Sequence, residues 1–519
     1  MGAARGRSHR GAPLRASLSL ALALALTIAS GCGDDGQASA PSTGATEAES
    51  DASGGATETG ASATSGASQG SATEGSTTDT STTGGELDLL EELRMIEGME
   101  ADELDPPAPG VRLFALTYRQ PADHDDPGGL TFDQRLTLRH VDRDAPMVLS
   151  TSGYGLSNRQ SVAEPTALFG ANQINVEQRF FGPSRPEPAD WTLLTIEEAA
   201  SDHHRIVEAL KTIYGGRWLA TGASKGGMTS VYHRRFYPDD VDATLAYVAP
   251  HNLAELDPRY GPYIDAIPGP AACQDALRGV QAAILGDARD EVTKMVLQIV
   301  EAGDATFDVL GVDRVVEFGA IELRFVFWQY GGEGDCPEVP GPGASAQELF
   351  AFVDAIIDWT FFGDEVIDYF TPYYYQAATE LGAPDMPEEH LGGLRQFPDE
   401  DVPALYLDPD LPVSFDASAM AGVSSWLDGA GERVLFIYGG RDPWTAAAFD
   451  PGGAIDTHLY VVPEGNHGSK IVDLPAADQA EAMAILGAWL EVDADVEEGV
   501  ARVRARALDE DPPVRRPLP

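Results

Sequence analysis

The sequence predicts an α/β fold, a mostly parallel sheet with helices on its faces and a helical cap inserted late in the chain, from three observations. Short β-rich runs alternate with helical stretches, the pattern of a sheet covered by helices. The run Gly222-Ala223-Ser224-Lys225-Gly226 stands between one such β run and a helix. Between about Leu253 and Ala404 the alternation stops, and helical periodicity with many aromatic residues replaces it.

The first residues read as an address rather than as fold. Arg5, Arg7, Arg10 and Arg15 precede an apolar run from Leu18 to Ile28, and the small residues Ala29, Ser30 and Gly31 follow it, the order of an export signal over 1–31. At about 11 residues the run is too short for a membrane span, which needs about 20 in a helix. Cys32 comes next, and Ala29-Ser30-Gly31-Cys32 resembles the bacterial lipobox, whose cysteine is acylated and becomes the mature N-terminus; Ala29 stands where that pattern usually has Leu. An ordinary cleavage site with a chance cysteine is the plainer alternative. The stretch 32–85 is almost entirely Gly, Ser, Thr, Ala, Asp and Glu beyond Cys32, with no Lys, Arg or aromatic residue. It cannot bury a core and is expected to be a disordered tether.

The first part of the core is expected over 86–252. Val111 to Tyr118, Leu130 to His140 and Pro146 to Thr151 are β-rich, and Ile174 to Gln178 and Arg217 to Thr221 repeat the signal around a helical stretch from Ile196 to Ile213. A helix from Lys225 to Phe236 and a strand from Thr244 to Val248 follow. The cap occupies 253–404. The core resumes over 405–500 with β runs at Arg433 to Tyr438 and His458 to Val462 and a closing helix from Ala476 to Leu490; 501–519, rich in Arg and Pro, reads as a loosely held tail. Cys273 and Cys336 both lie in the cap, and in an exported chain they are expected to form a disulfide. They lack the spacing of a zinc site, so no metal is expected.

The charge excludes some partners. In 519 residues, 34 Lys plus Arg stand against 83 Asp plus Glu, a formal net charge of −49. Nucleic acid would meet a repulsive field, and anionic membrane surfaces are disfavoured likewise.

The chemistry gathers at strand ends. A serine on a tight strand-to-helix turn, flanked by small residues, is pushed clear of the backbone as a nucleophile elbow. Its hydroxyl needs a base oriented by a carboxylate, in the α/β-hydrolase order Ser, Asp or Glu, His. Of the ten histidines, His251, His390, His458 and His467 lie far enough beyond Ser224. His467, in Pro463-Glu464-Gly465-Asn466-His467-Gly468, falls in a loop directly after a β run and is chosen. Asp442, after the strand Val434 to Tyr438, is the carboxylate; a mere helix cap before Pro443 is the alternative. Oxyanion donors are expected from the backbone N–H of Lys225 and from the loop Ser152-Gly153-Tyr154-Gly155, with Tyr154 as the candidate. No cofactor is implied.

Four runs make the sequence specific: Asn175-Val176-Glu177-Gln178-Arg179-Phe180-Phe181-Gly182, Gly222 to Gly227, Tyr374-Tyr375-Gln376-Ala377-Ala378-Thr379-Glu380-Leu381-Gly382, and Asp442-Pro443-Trp444. Together, from about Leu113 to Leu490, they resemble the secreted prolyl tripeptidyl aminopeptidases of actinobacteria, and more distantly the lysosomal prolyl carboxypeptidase and dipeptidyl peptidase group. The resemblance implies an α/β-hydrolase core with a helical cap, and a serine exopeptidase that cleaves after proline. Releasing a tripeptide from a free amino end requires a carboxylate about 10 Å from Ser224, since each extended residue spans about 3.3 Å. Glu177 and Glu380 are the candidates, with a structural ion pair as the competing role, for Glu177 with Arg179. Phe180, Phe181, Trp328, Tyr374 and Trp444 are available for a proline pocket, and Trp444 is taken as substrate-binding. An esterase or lipase on the same fold, or a catalytically inactive peptide-binding lipoprotein, remain the alternatives. The location expected is a cell-surface or outer-membrane lipoprotein held through an acylated Cys32.

Overall fold

Strands buried on both faces lose the polar–apolar alternation of strands buried on one, and this difference orders the sheet. The computed structural model describes residues 88–156, 161–493 and 495–509; the predicted signal, Cys32 and the tether lie outside the described residues. The strands are β1 (Met99–Leu104), β2 (Arg112–Pro121), β3 (Thr131–His140), β4 (Met147–Thr151), β5 (Asn172–Val176), β6 (Trp218–Ala223), β7 (Ala243–Tyr247), β8 (Leu256–Asp257), β9 (Ala383–Pro384), β10 (Val434–Gly439) and β11 (His458–Val462). Nine of them form one sheet in the order β1-β2-β3-β5-β4-β6-β7-β10-β11. The links β1–β2, β2–β3 and β3–β5 are antiparallel, and every link from β5 onward is parallel. β3 alternates buried and accessible residues, whereas β5, β7 and β10 are buried at every position.

Period two then sends alternate side chains to opposite helix layers. Leu435 and Ile437 pack with Met483 and Leu486 of the helix Ala476–Leu490. Val434, Phe436 and Tyr438 pack with Met228 and Val231 of the helix Lys225–Phe236 and with Met420, Val423 and Leu427 of the helix Ala417–Ala430. Towards the antiparallel end, Leu136, Leu149 and Ile174 meet Ile206, Val207 and Leu210 of the helix Ile196–Leu210.

Between β7 and β10 the chain leaves the sheet for a block of helices with its own apolar core, closed at its base by the parallel pair β8–β9. Its central helix, Val312–Tyr330, is wrapped by the others. Gly319 is required there, because a Cβ would sit 2.5 Å from the Trp359 ring. Cys273, on the helix Ala271–Leu285, meets Cys336 with S–S 2.07 Å and Cα atoms 5.4 Å apart.

Two elements differ from the sequence expectation. The helix Leu89–Met95 and strand β1 extend the sheet at its edge, in a run so acidic that only Met99 and Ala101 of β1 are buried. At the other terminus, the stretch read as a loosely held tail is helical to residue 509, in Val496–Asp509. Arg502 donates to the carbonyl oxygens of Ala167 and Leu168, the open C-terminal end of a short helix.

Candidate active site

Ser224 sits between β6 and the helix Lys225–Phe236 with φ 54° and ψ −127°. A side chain there is strained, and the strain is held by the surroundings. Its N–H donates to the Tyr247 carbonyl at 2.9 Å. The turn admits no bulk before it: a Cβ on Gly222 would come within 2.3 Å of the Gly226 carbonyl carbon.

Asp442 leaves β10 through Gly439-Gly440-Arg441 and is fully buried. Both expected roles are present, one on each oxygen. Oδ1 accepts the Trp444 N–H at 3.1 Å, capping the short turn of helix Pro443–Ala447, and Oδ2 accepts from His467 Nδ1 at 2.7 Å. His467 follows β11 in the loop the sequence indicated. Its N–H donates to the Gln329 carbonyl at 2.9 Å, and its ring stands edge-on to Tyr330 at 6.2 Å. With Nδ1 committed to Asp442, Nε2 is the nitrogen left to act as a base. No hydrogen bond closes between Nε2 and Ser224 Oγ; bonds of this kind tighten in the Michaelis complex. The other histidines are engaged elsewhere: His251 with Ser424, His390 with Gln281, His458 with Asp456.

The oxyanion loop corrects one expectation. Tyr154 N–H points at Ser152 Oγ, 3.2 Å away, so it is engaged inside the loop. Gly153 N–H has no acceptor among the described residues, and Gly153 lies so close to the elbow that a Cβ would be 2.6 Å from Gly226 N. The second donor candidate therefore moves from Tyr154 to Gly153, beside the Lys225 N–H, which as the first helical residue lacks an intrahelical partner.

The Lys225 side chain was not singled out from sequence. It is buried, its Nζ donates to the Gly153 carbonyl at 2.6 Å, and it lies 5.5 Å and 5.6 Å from the Tyr154 and Phe181 ring centroids. Burial brings its amine down to about 7, opposed by the Glu380 charge. A cavity of about 10 Å³, the size of one water, lies behind it against Gln178, Thr229 and Gln376. The available signal was a lysine inside a motif otherwise made of small residues.

Both carboxylates chosen for the substrate ammonium accept hydrogen bonds from the protein, Glu177 on both oxygens and Glu380 on Oε2. Glu177 is fully buried; Oε1 accepts from Arg135 at 2.5 Å and from the Leu156 N–H at 2.8 Å, and Oε2 from the Ser184 hydroxyl at 2.6 Å. Its cationic partner is Arg135 and not Arg179, which pairs with Asp202 at 2.7 Å and Glu198 at 3.0 Å. Glu380 accepts the Ile196 N–H at 2.9 Å, at the start of the helix Ile196–Leu210; burial pushes its carboxyl up to about 7.

Trp444 does stand at the site. Its ring is 6.2 Å from that of His467, and it packs edge-on to Phe325 at 5.0 Å and Tyr260 at 5.7 Å, while its Nε1 is buried without a partner. Phe181 and Tyr374 also border the aromatic roof, in contact with Tyr154 and Tyr373 respectively. Phe180 packs on Trp191, and Trp328 is enclosed within the cap core. A larger hollow, about 670 Å³, opens at the opposite edge of the sheet around Tyr214, Trp218 and Asp242 and contains none of these groups.

The family described as PS-10 peptidase S37 matches residues 84–511. The prolyl tri/tetrapeptidyl aminopeptidase of Streptomyces mobaraensis is 43% identical over 415 residues, covering 79% of this chain and 86% of that protein. Among solved structures, a proline iminopeptidase of Mycobacterium smegmatis superposes with TM-score 0.33 at 16% identity, over 74% of this chain and 99% of its own. Acetyl xylan esterase 1 from Thermoanaerobacterium gives TM-score 0.33 at 11% identity, over 77% and 90%.

Proposed function

This chain belongs to the PS-10 peptidase S37 family and is a serine peptidase, and from that premise we propose that it removes short proline-ended peptides from free amino termini through an acyl-enzyme. The observation that carries the reading is the Asp442–His467 hydrogen bond after β10 and β11, in the same sheet whose strand β6 ends at the strained Ser224. Ser224 Oγ attacks the carbonyl carbon after proline while His467 Nε2 takes the hydroxyl proton. Asp442 fixes the imidazole tautomer and balances the charge that forms on the ring. The tetrahedral oxyanion is received by the N–H groups of Lys225 and Gly153. Collapse breaks the C–N bond, His467 returns the proton to the leaving amine, and water then releases the peptide from Ser224 by the same relay. Trp444 and the cap aromatics supply an apolar wall for proline.

The exported, Cys32-anchored form belongs to the same proposal, and the Cys273–Cys336 pair, oxidised in such a compartment, supports it. Among the described residues no helix is long and apolar enough to cross a membrane; the anchor proposed is the acyl group alone.

The test is labelling with a fluorophosphonate, lost in Ser224→Ala and His467→Ala, together with product mass analysis on Ala-Ala-Pro-type peptides with free and acetylated ends. Release of proline-ended fragments from free ends only is the expected result. An ester preference of orders of magnitude, indifferent to the amino end, would overturn the peptidase specificity, and an unlabelled folded wild type would overturn catalysis.

A further inference from the structure

An enzyme that recognises a free amino end has to hold an ammonium group; of the carboxylates chosen from sequence, Glu177 has protein donors on both oxygens and Glu380 caps the start of a helix through Oε2. The cap helix Val312–Tyr330 offers another. From Val315 onward every residue of this helix is buried except Glu322, Val326, Gln329 and Tyr330. Those positions follow the spacing i, i+4, i+7, i+8, which is one stripe along a helix. The stripe's lower end is docked on the site: the Gln329 carbonyl accepts the His467 N–H, the Tyr330 carbonyl accepts from Asn466 Nδ2 at 2.8 Å, and the Tyr330 ring meets the imidazole. Glu322 is at the upper end, eight residues away, or about 12 Å at 1.5 Å per residue. An extended tripeptide reaches about 10 Å.

Among the described residues no cation pairs with Glu322. It has no hydrogen bond or ion pair among the described residues. Tyr373, Tyr374, Tyr406 and Asp401 lie within its electrostatic reach, and Asp401 accepts from the Tyr406 hydroxyl at 2.7 Å. A run of rings joins this end to the oxyanion loop: Tyr406 stacks on Tyr374 at 4.5 Å, Tyr374 meets Tyr373 at 5.5 Å, and Tyr373 meets Tyr154 at 6.0 Å. The cations of the same helix are committed, Arg324 to Asp265 at 2.6 Å and Arg314 to Glu400 at 2.8 Å.

Resting on the aminopeptidase reading, we propose that Glu322, with Asp401 beside it, binds the free α-ammonium of the peptide substrate and so measures the released fragment from its amino end. Tyrosines around the carboxylates shield them from water and leave the ammonium as the natural counter-ion. Burial and the Asp401 charge raise the Glu322 carboxyl above its ordinary range, and burial with the Glu388 charge raises that of Asp401. Incoming ammonium offsets the repulsion between Glu322 and Asp401.

The test is the selectivity ratio of kcat/KM on an Ala-Ala-Pro-type amide to kcat/KM on its acetylated counterpart, measured on the full chain. Being a ratio, it does not depend on the fraction of enzyme that folds. In Glu322→Gln the ratio is expected to fall about 10- to 100-fold, mostly through KM on the free substrate, with a smaller fall in Asp401→Asn. A large wild-type ratio that persists unchanged in Glu322→Gln overturns this proposal alone. A wild-type ratio near one overturns the aminopeptidase reading itself. Should Glu322→Gln yield no active enzyme, Glu322→Asp, which keeps the charge and shortens the arm, is read the same way: an unchanged ratio overturns the proposal and a reduced one supports it.

Discussion

At Asp442 the cap and the relay are separable because each uses its own oxygen. Asparagine keeps an acceptor for the Trp444 N–H but loses the anion and offers the imidazole the wrong tautomer. Asp442→Asn should therefore lower kcat on the order of 10³- to 10⁴-fold and leave Tm nearly unchanged, whereas Asp442→Ala should lower both; activity and thermal melts on the two variants check it. Lys225 acts one step back, through Gly153, as a positioning residue. Burial holds its native amine down at about 7, against 10.5 for a free lysine. Between those values the unfolded chain binds more protons than the native one, so this residue's contribution to stability rises with pH. Relative to Lys225→Met, the wild-type Tm should gain as pH goes from 7 to 9. A constant difference would mean that the amine is charged in the native state.

At the scale of elements, antiparallel pairing explains Glu177. β3 and β5 pair with Leu136 opposite Val176, so the next step sets Arg135 opposite Glu177, whose N–H donates to the Arg135 carbonyl at 3.1 Å. Glu177→Ala should cost about 3 kcal/mol in urea unfolding and leave the free-to-acetylated selectivity ratio unaltered, since the residue ties the loop at Leu156 rather than binding substrate. The pairing also shows what could be read from sequence. Parallel strands and the elbow carry local signals, apolar runs and small residues at a turn, and Ser224, Asp442 and His467 fall at strand ends in chain order. Register between distant strands has no local signal, so Arg179, two residues from Glu177, was the nearer guess and Arg135 the actual partner. For the same reason an acidic edge strand at β1 and an Arg-rich helix at 496–509 escaped notice: each is held by what it packs on. Glu322 was invisible likewise, because a lone carboxylate in an apolar helix acquires meaning only when the stripe it begins is seen to end at His467.

For the molecule as a whole, the cap is the part whose order the site depends on, because one of its helices carries Gln329, Tyr330 and Glu322 together. That helix lies inside the loop closed by Cys273 and Cys336, which are 63 residues apart. Closing a loop of this length restricts the unfolded cap by about 4 kcal/mol in the chain-entropy account, and the bridge adds nothing to the sheet, whose core is built from other residues. Loss of the bridge should therefore act on the cap first. In Cys273→Ser/Cys336→Ser, or after reduction, the cap should open at lower temperature than the sheet, seen as earlier protease cleavage within 253–404 while Ser224 still accepts a fluorophosphonate. KM for free-ended peptides should rise in parallel, since Glu322 loses its fixed place along the helix that docks on His467 while the elbow and the Asp442–His467 pair keep theirs. Simultaneous loss of labelling and of the cap would show that roof and relay unfold as one unit, and the distance from amino end to scissile bond would then be set by the whole fold rather than by the bridged helix.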